Sequence, residues 1–150
     1  MLLFKAPLHV LRKTKAFQSL LKSRLNLPKL YDLGYRHKVA LRPFTHASIP
    51  WKKQQLEPGI SKLVKKIAKV LDLQNDQGCF FDVGAYVGLY TWEVSKICPH
   101  RKILAFEPDP ENIKLLDQTV CESDLQNLTI CKCALGDQNG DVLFFQDNLT

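Results

Sequence analysis

Apolar residues change their spacing along this chain, and each change marks an expected element. Over 8–25, "LHVLRKTKAFQSLLKSRL", Val10, Phe17, Leu21 and Leu25 fall on one helical side among basic residues. That pattern suits a helix docked on its own domain, one lying on a membrane, or a targeting presequence. Over 37–50, "HKVALRPFTHASIP" alternates at Val39 and Leu41 and reads as an extended segment ended by Pro43 and Pro50. His37 and His46 within it read as loop residues rather than ligands. In "GISKLVKKIAKVLDL", Ile60, Leu63, Val64, Ile67 and Leu71 repeat at helical spacing. Lys62, Lys65, Lys66 and Lys69 fill the other side as a solvated face.

From Gly78 onward the period shortens. "CFFDV" is a continuous apolar run, the expected signature of a strand buried on both faces. A short helix follows, with Tyr90, Val94 and Ile97 on one side and Pro99 as its stop. "KILAFE" is a second strand. "DPENIKLLDQTVCESD" is a second helix, with Asp109 as cap, Pro110 at its first position and Ile113, Leu116 and Val120 facing inward. "LTICKCAL" is a third strand, and "GDQNGDVLFF" predicts a hairpin at Asn139–Gly140 leading to a fourth. Strands alternating with helices across short connections imply an α/β fold with a parallel sheet.

Composition narrows the classes. The 150 residues are 45% apolar, enough for one domain core, and contain no apolar run of about 18 residues that would span a bilayer. The net charge of +6 conceals an asymmetry: residues 1–77 carry 16 Lys and Arg against 4 Asp and Glu, residues 78–150 carry 5 against 11. A basic front suits an anionic surface, and equally an ordinary solvated flank. Five cysteines, an odd number, and no secretory signal point to a reducing, cytoplasmic setting. Cys131 and Cys133 form a C-x-C with no further ligand at short spacing. They read as half-buried strand residues, and no metal is expected.

The chemistry concentrates in "FDVGAYVGLYT", 81–91. Ligands of parallel sheets sit beyond the carboxyl ends of the strands, where Gly84 and Gly88 fall. Gly84 allows a turn closed to other residues, and Gly88 opens the next helix. Dinucleotide loops read G-x-G-x-x-G, whereas here the spacing is G-x-x-x-G with Asp82 two residues ahead. A carboxylate beside a pyrophosphate is repelled by several kcal/mol at low dielectric. No Lys follows Gly88, so a nucleoside-triphosphate loop is also excluded. A cationic ligand without phosphate suits Asp82, and S-adenosylmethionine is such a ligand. Glu107 ends the second strand 23 residues after Gly84, close to the interval expected for a ribose-binding acid. The plain alternative is that both acids cap the following helices.

With "AFEPDPENIKLL" and "ALGDQNGDVLFF" at the right spacing, the loop resembles the FkbM family of S-adenosylmethionine-dependent methyltransferases over residues 79 to 147. "LRPFTHASI" and "EPGISKL" are similar to the family's variable lead-in. The resemblance implies a Rossmann-like class I methyltransferase fold, of which this chain would hold about the first half of the sheet. A basic lead-in, 1–77, would precede a partial cofactor domain, 78–150. By the same resemblance, Asp82, Gly84, Ala85 and Gly88 form the methionine end, Glu107 holds the ribose, and Ala134, Leu135 and Asp137 approach the adenine. The acceptor would be a hydroxyl of a sugar, glycan or other small molecule. No catalytic base can be named. The chain departs from the family at Tyr86, where Asn is usual. Expected partners are this acceptor, a peripheral membrane contact through residues 1–30, and a second copy at an open sheet edge, with no nucleic acid. The competing readings are a non-catalytic cofactor-binding fragment and a basic membrane- or RNA-associated adaptor.

Overall fold

The computed structural model describes residues 24–52, 57–73 and 78–143. The amphipathic stretch 8–25 lies outside them except for its last two residues. Two short strands, β1 (Lys29–Tyr31) and β2 (Val39–Leu41), form an antiparallel pair with Lys29 opposite Leu41 and Tyr31 opposite Val39. Asp32 shapes the turn between them, its Oδ1 accepting from the Gly34 amide at 2.9 Å. The helices α1 (Ser48–Lys52) and α2 (Pro58–Leu73) complete the lead-in. Then β3 (Phe80–Val83), α3 (Leu89–Ile97), β4 (Ile103–Phe106), α4 (Pro110–Cys121) and β5 (Leu128–Cys131) alternate as expected.

The sheet is parallel, ordered β3-β4-β5, with Asp82 opposite Ala105 and Ala105 opposite Ile130. The molecule is thus α/β, with a three-stranded parallel sheet compatible with a Rossmann-like architecture. Because partnered residues of neighbouring strands point to one side, Phe80, Ile103 and Leu128 share the covered face with Asp82, Ala105 and Ile130. That face packs against Trp92 and Val94 of α3 and Leu115 and Leu116 of α4. The reverse face carries Phe81, Val83, Leu104, Phe106, Thr129 and Cys131.

"CFFDV" is therefore buried on one face only, since Phe81 is 56% and Val83 59% exposed. β3 is an edge strand of the described sheet, and both crossover helices lie on the same side. A second correction concerns α2. Val64, Ala68 and Leu71 are at least partly buried, while Ile60, Leu63 and Ile67, expected inside, are about half exposed. The helix packs chiefly against α3, so its contact face is narrower than its apolar stripe and turned from it. Of its lysines, Lys65 turns inward and pairs with Glu93 at 3.4 Å.

α4 forms as the sequence predicts. Asp109 is its N-cap, accepting from the Glu111 amide at 2.7 Å, Pro110 follows, and Ile113 and Leu116 are buried. The segment 37–50 is less regular than expected. It contains β2, a turn in which the His46 amide donates to the Arg42 carbonyl, and then α1, with Pro50 inside the helix. All three β2 residues are buried, and Ala40 donates its amide to Thr119 Oγ1 of α4 at 2.9 Å. Lead-in residues Leu33, Val39, Leu41 and Ile49 share one core with Val87, Trp92, Ala105 and Leu116. Within 1–30, Leu30 packs on that core and Asn26 hydrogen-bonds Thr45.

Beyond β5 the expectations diverge from the structure. The third strand, expected to Leu135, stops at Cys131, where the Cys133 amide folds back onto the Cys131 carbonyl at 2.9 Å. The two thiols thus do not share a strand face, and Cys133 is exposed. The described residues show no strand around Asn139–Gly140: 132–143 are irregular and exposed, and the rest of the expected fourth strand lies outside the described residues. Among the described residues no helix is long and apolar enough to cross a membrane, and no cluster of His, Cys, Asp or Glu could hold a metal.

Candidate ligand site at the glycine loop

The loop 84–88 leaves β3 at the carboxyl edge of the sheet and enters α3. Three of its residues are left-handed: Gly84 (φ 76°), Tyr86 (φ 56°) and Gly88 (φ 81°). At Gly84 an added Cβ would meet nothing within 4 Å, so open space lies beside this backbone. At Gly88 a Cβ would lie 2.6 Å from the Trp92 indole, so this glycine makes room for the ring rather than for a ligand. Trp92 Nε1 donates to the Val87 carbonyl at 2.7 Å and locks the turn. Tyr86 occupies a conformation that Asn tolerates better than Tyr.

Asp82 is buried, 7% exposed, at the end of β3. Its Oδ2 accepts from the Thr91 amide at 2.9 Å and the Thr91 hydroxyl at 2.6 Å, capping the first turn of α3. Oδ1 has no donor among the described residues. Burial pushes the Asp82 carboxyl above its usual range; the Thr91 hydrogen bonds pull it back, and the Glu107 charge adds to the rise.

Glu107, 5% exposed, sits one residue beyond β4, and its charge reaches Asp82. Its Oε2 accepts from the Tyr86 amide at 2.7 Å, while Oε1 accepts from the Asp109 amide at 3.0 Å and Asn112 Nδ2 at 3.2 Å. Glu107 thus ties the glycine loop to the turn before α4. Oε2 keeps capacity for another donor. Neither acid forms an ion pair among the described residues. The capping alternative holds as far as it goes: Asp82 caps α3, and Glu107 braces the turn before α4.

Four of the five backbone N–H groups of the loop are already committed. Gly84 and Ala85 donate to the Phe106 carbonyl at 2.9 Å each, Gly88 to the Ala85 carbonyl at 2.7 Å, and Tyr86 to Glu107. Phosphate loops work by turning such groups outward to a ligand. Here they are turned inward, and the end of α3 already holds a carboxylate.

The other expected site residues are distributed as follows. Ala85 is buried in the core beneath the loop. Ala134, Leu135 and Asp137 follow the carboxyl end of β5, on the same sheet edge as the two acids, in exposed irregular chain. Among the described residues no hydrogen bond or ion pair joins them to Asp82 or Glu107.

A cavity of about 400 Å³ lies on the lead-in side of the loop, with Gly84, Ala85 and Tyr86 as one wall. His46, Tyr35 and Ile49 of the lead-in form another, and Glu57, Tyr90 and Glu93 a third. His46 Nδ1 accepts from the Arg42 amide at 2.9 Å, so the proton is on Nε2. Burial, with help from the Arg42 charge, lowers its pKa to about 4 and keeps it neutral. The sequence pattern made His46 a loop residue and Tyr90 a helix-face residue, and gave Thr91 and Tyr35 no role. No local pattern marks these side chains, since Thr91 meets Asp82 only across the turn and the others come from separate segments.

No protein-family profile and no curated protein sequence matches the chain.

Proposed function

We propose that the chain binds S-adenosylmethionine at the carboxyl ends of β3 and β4, as the cofactor-binding part of a class I methyltransferase of the FkbM type. A hydroxyl of a sugar or other small molecule is the proposed acceptor. The observation that carries this reading is the buried Asp82 carboxylate at the N-terminus of α3. It fills the position where a dinucleotide would put its pyrophosphate and leaves Oδ1 for a cation. Glu107 adds a second buried carboxylate within reach of its charge. Bound there, the cofactor supplies an electrophilic methyl on a sulfonium. Asp82 and the backbone at Gly84 would face its positive end, and the spare capacity of Glu107 Oε2 would take a ribose hydroxyl. Ala134, Leu135 and Asp137 would approach the adenine.

Isothermal titration tests this directly. S-adenosylhomocysteine and S-adenosylmethionine should bind more tightly than NAD. Asp82→Asn and Glu107→Gln should each weaken them by about 1.5–3 kcal/mol, the range for hydrogen bonds to charged groups. Thermal melts run in parallel separate lost binding from lost folding. Equal affinity for NAD, or unchanged affinity in both folded variants, would show that the acids serve the fold alone.

A further inference from the structure

The cavity beside the glycine loop has a composition of its own. Three tyrosines, Tyr35, Tyr86 and Tyr90, and two carboxylates, Glu57 and Glu93, contribute to its lining, and none of its described lining residues is Lys or Arg. Its imidazole, His46, is neutral. The field inside is therefore negative, and each tyrosine registers it. Burial is the main cause that raises the hydroxyl of each, and carboxylate charge adds to it: Glu93 at Tyr35, Asp109 and Glu107 at Tyr86, Glu57 and Asp82 at Tyr90. Tyr90 Oη donates to Glu57, holding ring and carboxylate together. Lys65 lies 3.4 Å from Glu93 and offsets one of the two negative charges.

A second observation points to an occupant. His46 is 2% exposed, and its Nε2–H, in the cavity wall, has no acceptor among the described residues. A buried donor left unmade costs about 1–3 kcal/mol, so such an atom in a cavity wall is one that a ligand's oxygen can satisfy. Tyr86 packs edge-on against this imidazole, ring centroids 5.2 Å apart, in a left-handed conformation that costs a non-glycine residue free energy. The volume falls within the range of small-ligand pockets.

We propose that this cavity binds a small organic cation that also carries an oxygen, the chemistry of an alkylated amino alcohol. Aromatic rings and carboxylates attract an alkylated ammonium through its charge, while its methyl groups suit the apolar wall of Leu33 and Ile49. Gly84 and Ala85 are shared with the proposed cofactor site, but Asp82 and Glu107 do not line the cavity, so the two readings rest on different carboxylates.

The test uses the full chain with no cofactor present. Choline is titrated calorimetrically against its neutral isostere 3,3-dimethylbutan-1-ol and against acetate. Choline should bind at least about tenfold more tightly than the neutral alcohol, a difference of about 1.4 kcal/mol, and acetate not at all. Glu57→Gln, on an exposed residue whose loss spares the core, should weaken choline severalfold, whereas Tyr90→Phe, which keeps the ring, should retain most of the affinity. Equal binding of alcohol and choline, binding of acetate alone, no binding of any probe, or indifference to Glu57→Gln would overturn the proposal. S-adenosylhomocysteine affinity, measured separately on Glu57→Gln, should be unchanged, so the two readings fail independently.

Discussion

Asp82 carries opposing demands at a single residue. Its carboxylate caps α3 through Thr91, yet burial and the charge of Glu107 favour the protonated form. A folded-state pKa above the unfolded value means that the native state binds more protons between the two. The stabilisation from protonated Asp82 is full below the ordinary value of 3.8 and disappears as pH rises through the folded pKa. Urea unfolding of wild type and Asp82→Asn between pH 4 and pH 7 isolates this contribution. The wild type should lose stability relative to the variant as pH increases across that window. A constant difference would mean that Asp82 ionises in the fold as it does in the unfolded chain.

Among the elements, the decisive contact joins β2 to α4. Ala40 is fully buried, and its amide has Thr119 Oγ1 as acceptor, while the same hydroxyl donates to the Leu115 carbonyl at 2.8 Å. Replacing Thr119 by Val keeps the shape and removes the acceptor, leaving a buried amide unsatisfied. Thr119→Val should destabilise the protein by about 1–3 kcal/mol in chemical denaturation. A loss under about 0.5 kcal/mol would mean that β2 does not depend on this tie. The link matters to the site because the turn following β2 carries His46 to the glycine loop. Periodicity indicated that α4 would be a helix and gave its cap, but could not show that Thr119 would hold a strand 79 residues away.

For the molecule as a whole, the uncovered side of the sheet dominates. Phe81 and Phe106 lie edge-to-face on it, ring centroids 5.7 Å apart, beside exposed Val83. β3 pairs only with β4 among the described strands and carries neither Lys nor Pro to blunt its outer edge. Such an edge and face favour pairing with a second copy. Light scattering of the 150-residue chain should therefore give a mass above the monomer, and Phe81→Lys, at an exposed position, should move it toward the monomer. A monodisperse wild-type monomer would rule out this association.

What the sequence determined by itself is local. Short-range physics places the left-handed glycines where β3 ends, Asp109 and Pro110 at the start of α4, and the alternation of strand and helix that makes the sheet parallel, because each depends on residues within a few positions. The acids Asp82 and Glu107 could be paired in advance, since adjacent parallel strands must end at the same edge. Only the tertiary structure decided which apolar residues are covered, for burial depends on what lies opposite. Phe81 and Ile67 have the composition of a core and stay exposed because no described element faces them, whereas Lys65 turns inward to Glu93. The cavity is likewise a tertiary product: Tyr35, His46, Glu57 and Tyr90 converge from separate segments, and no local pattern encodes that meeting.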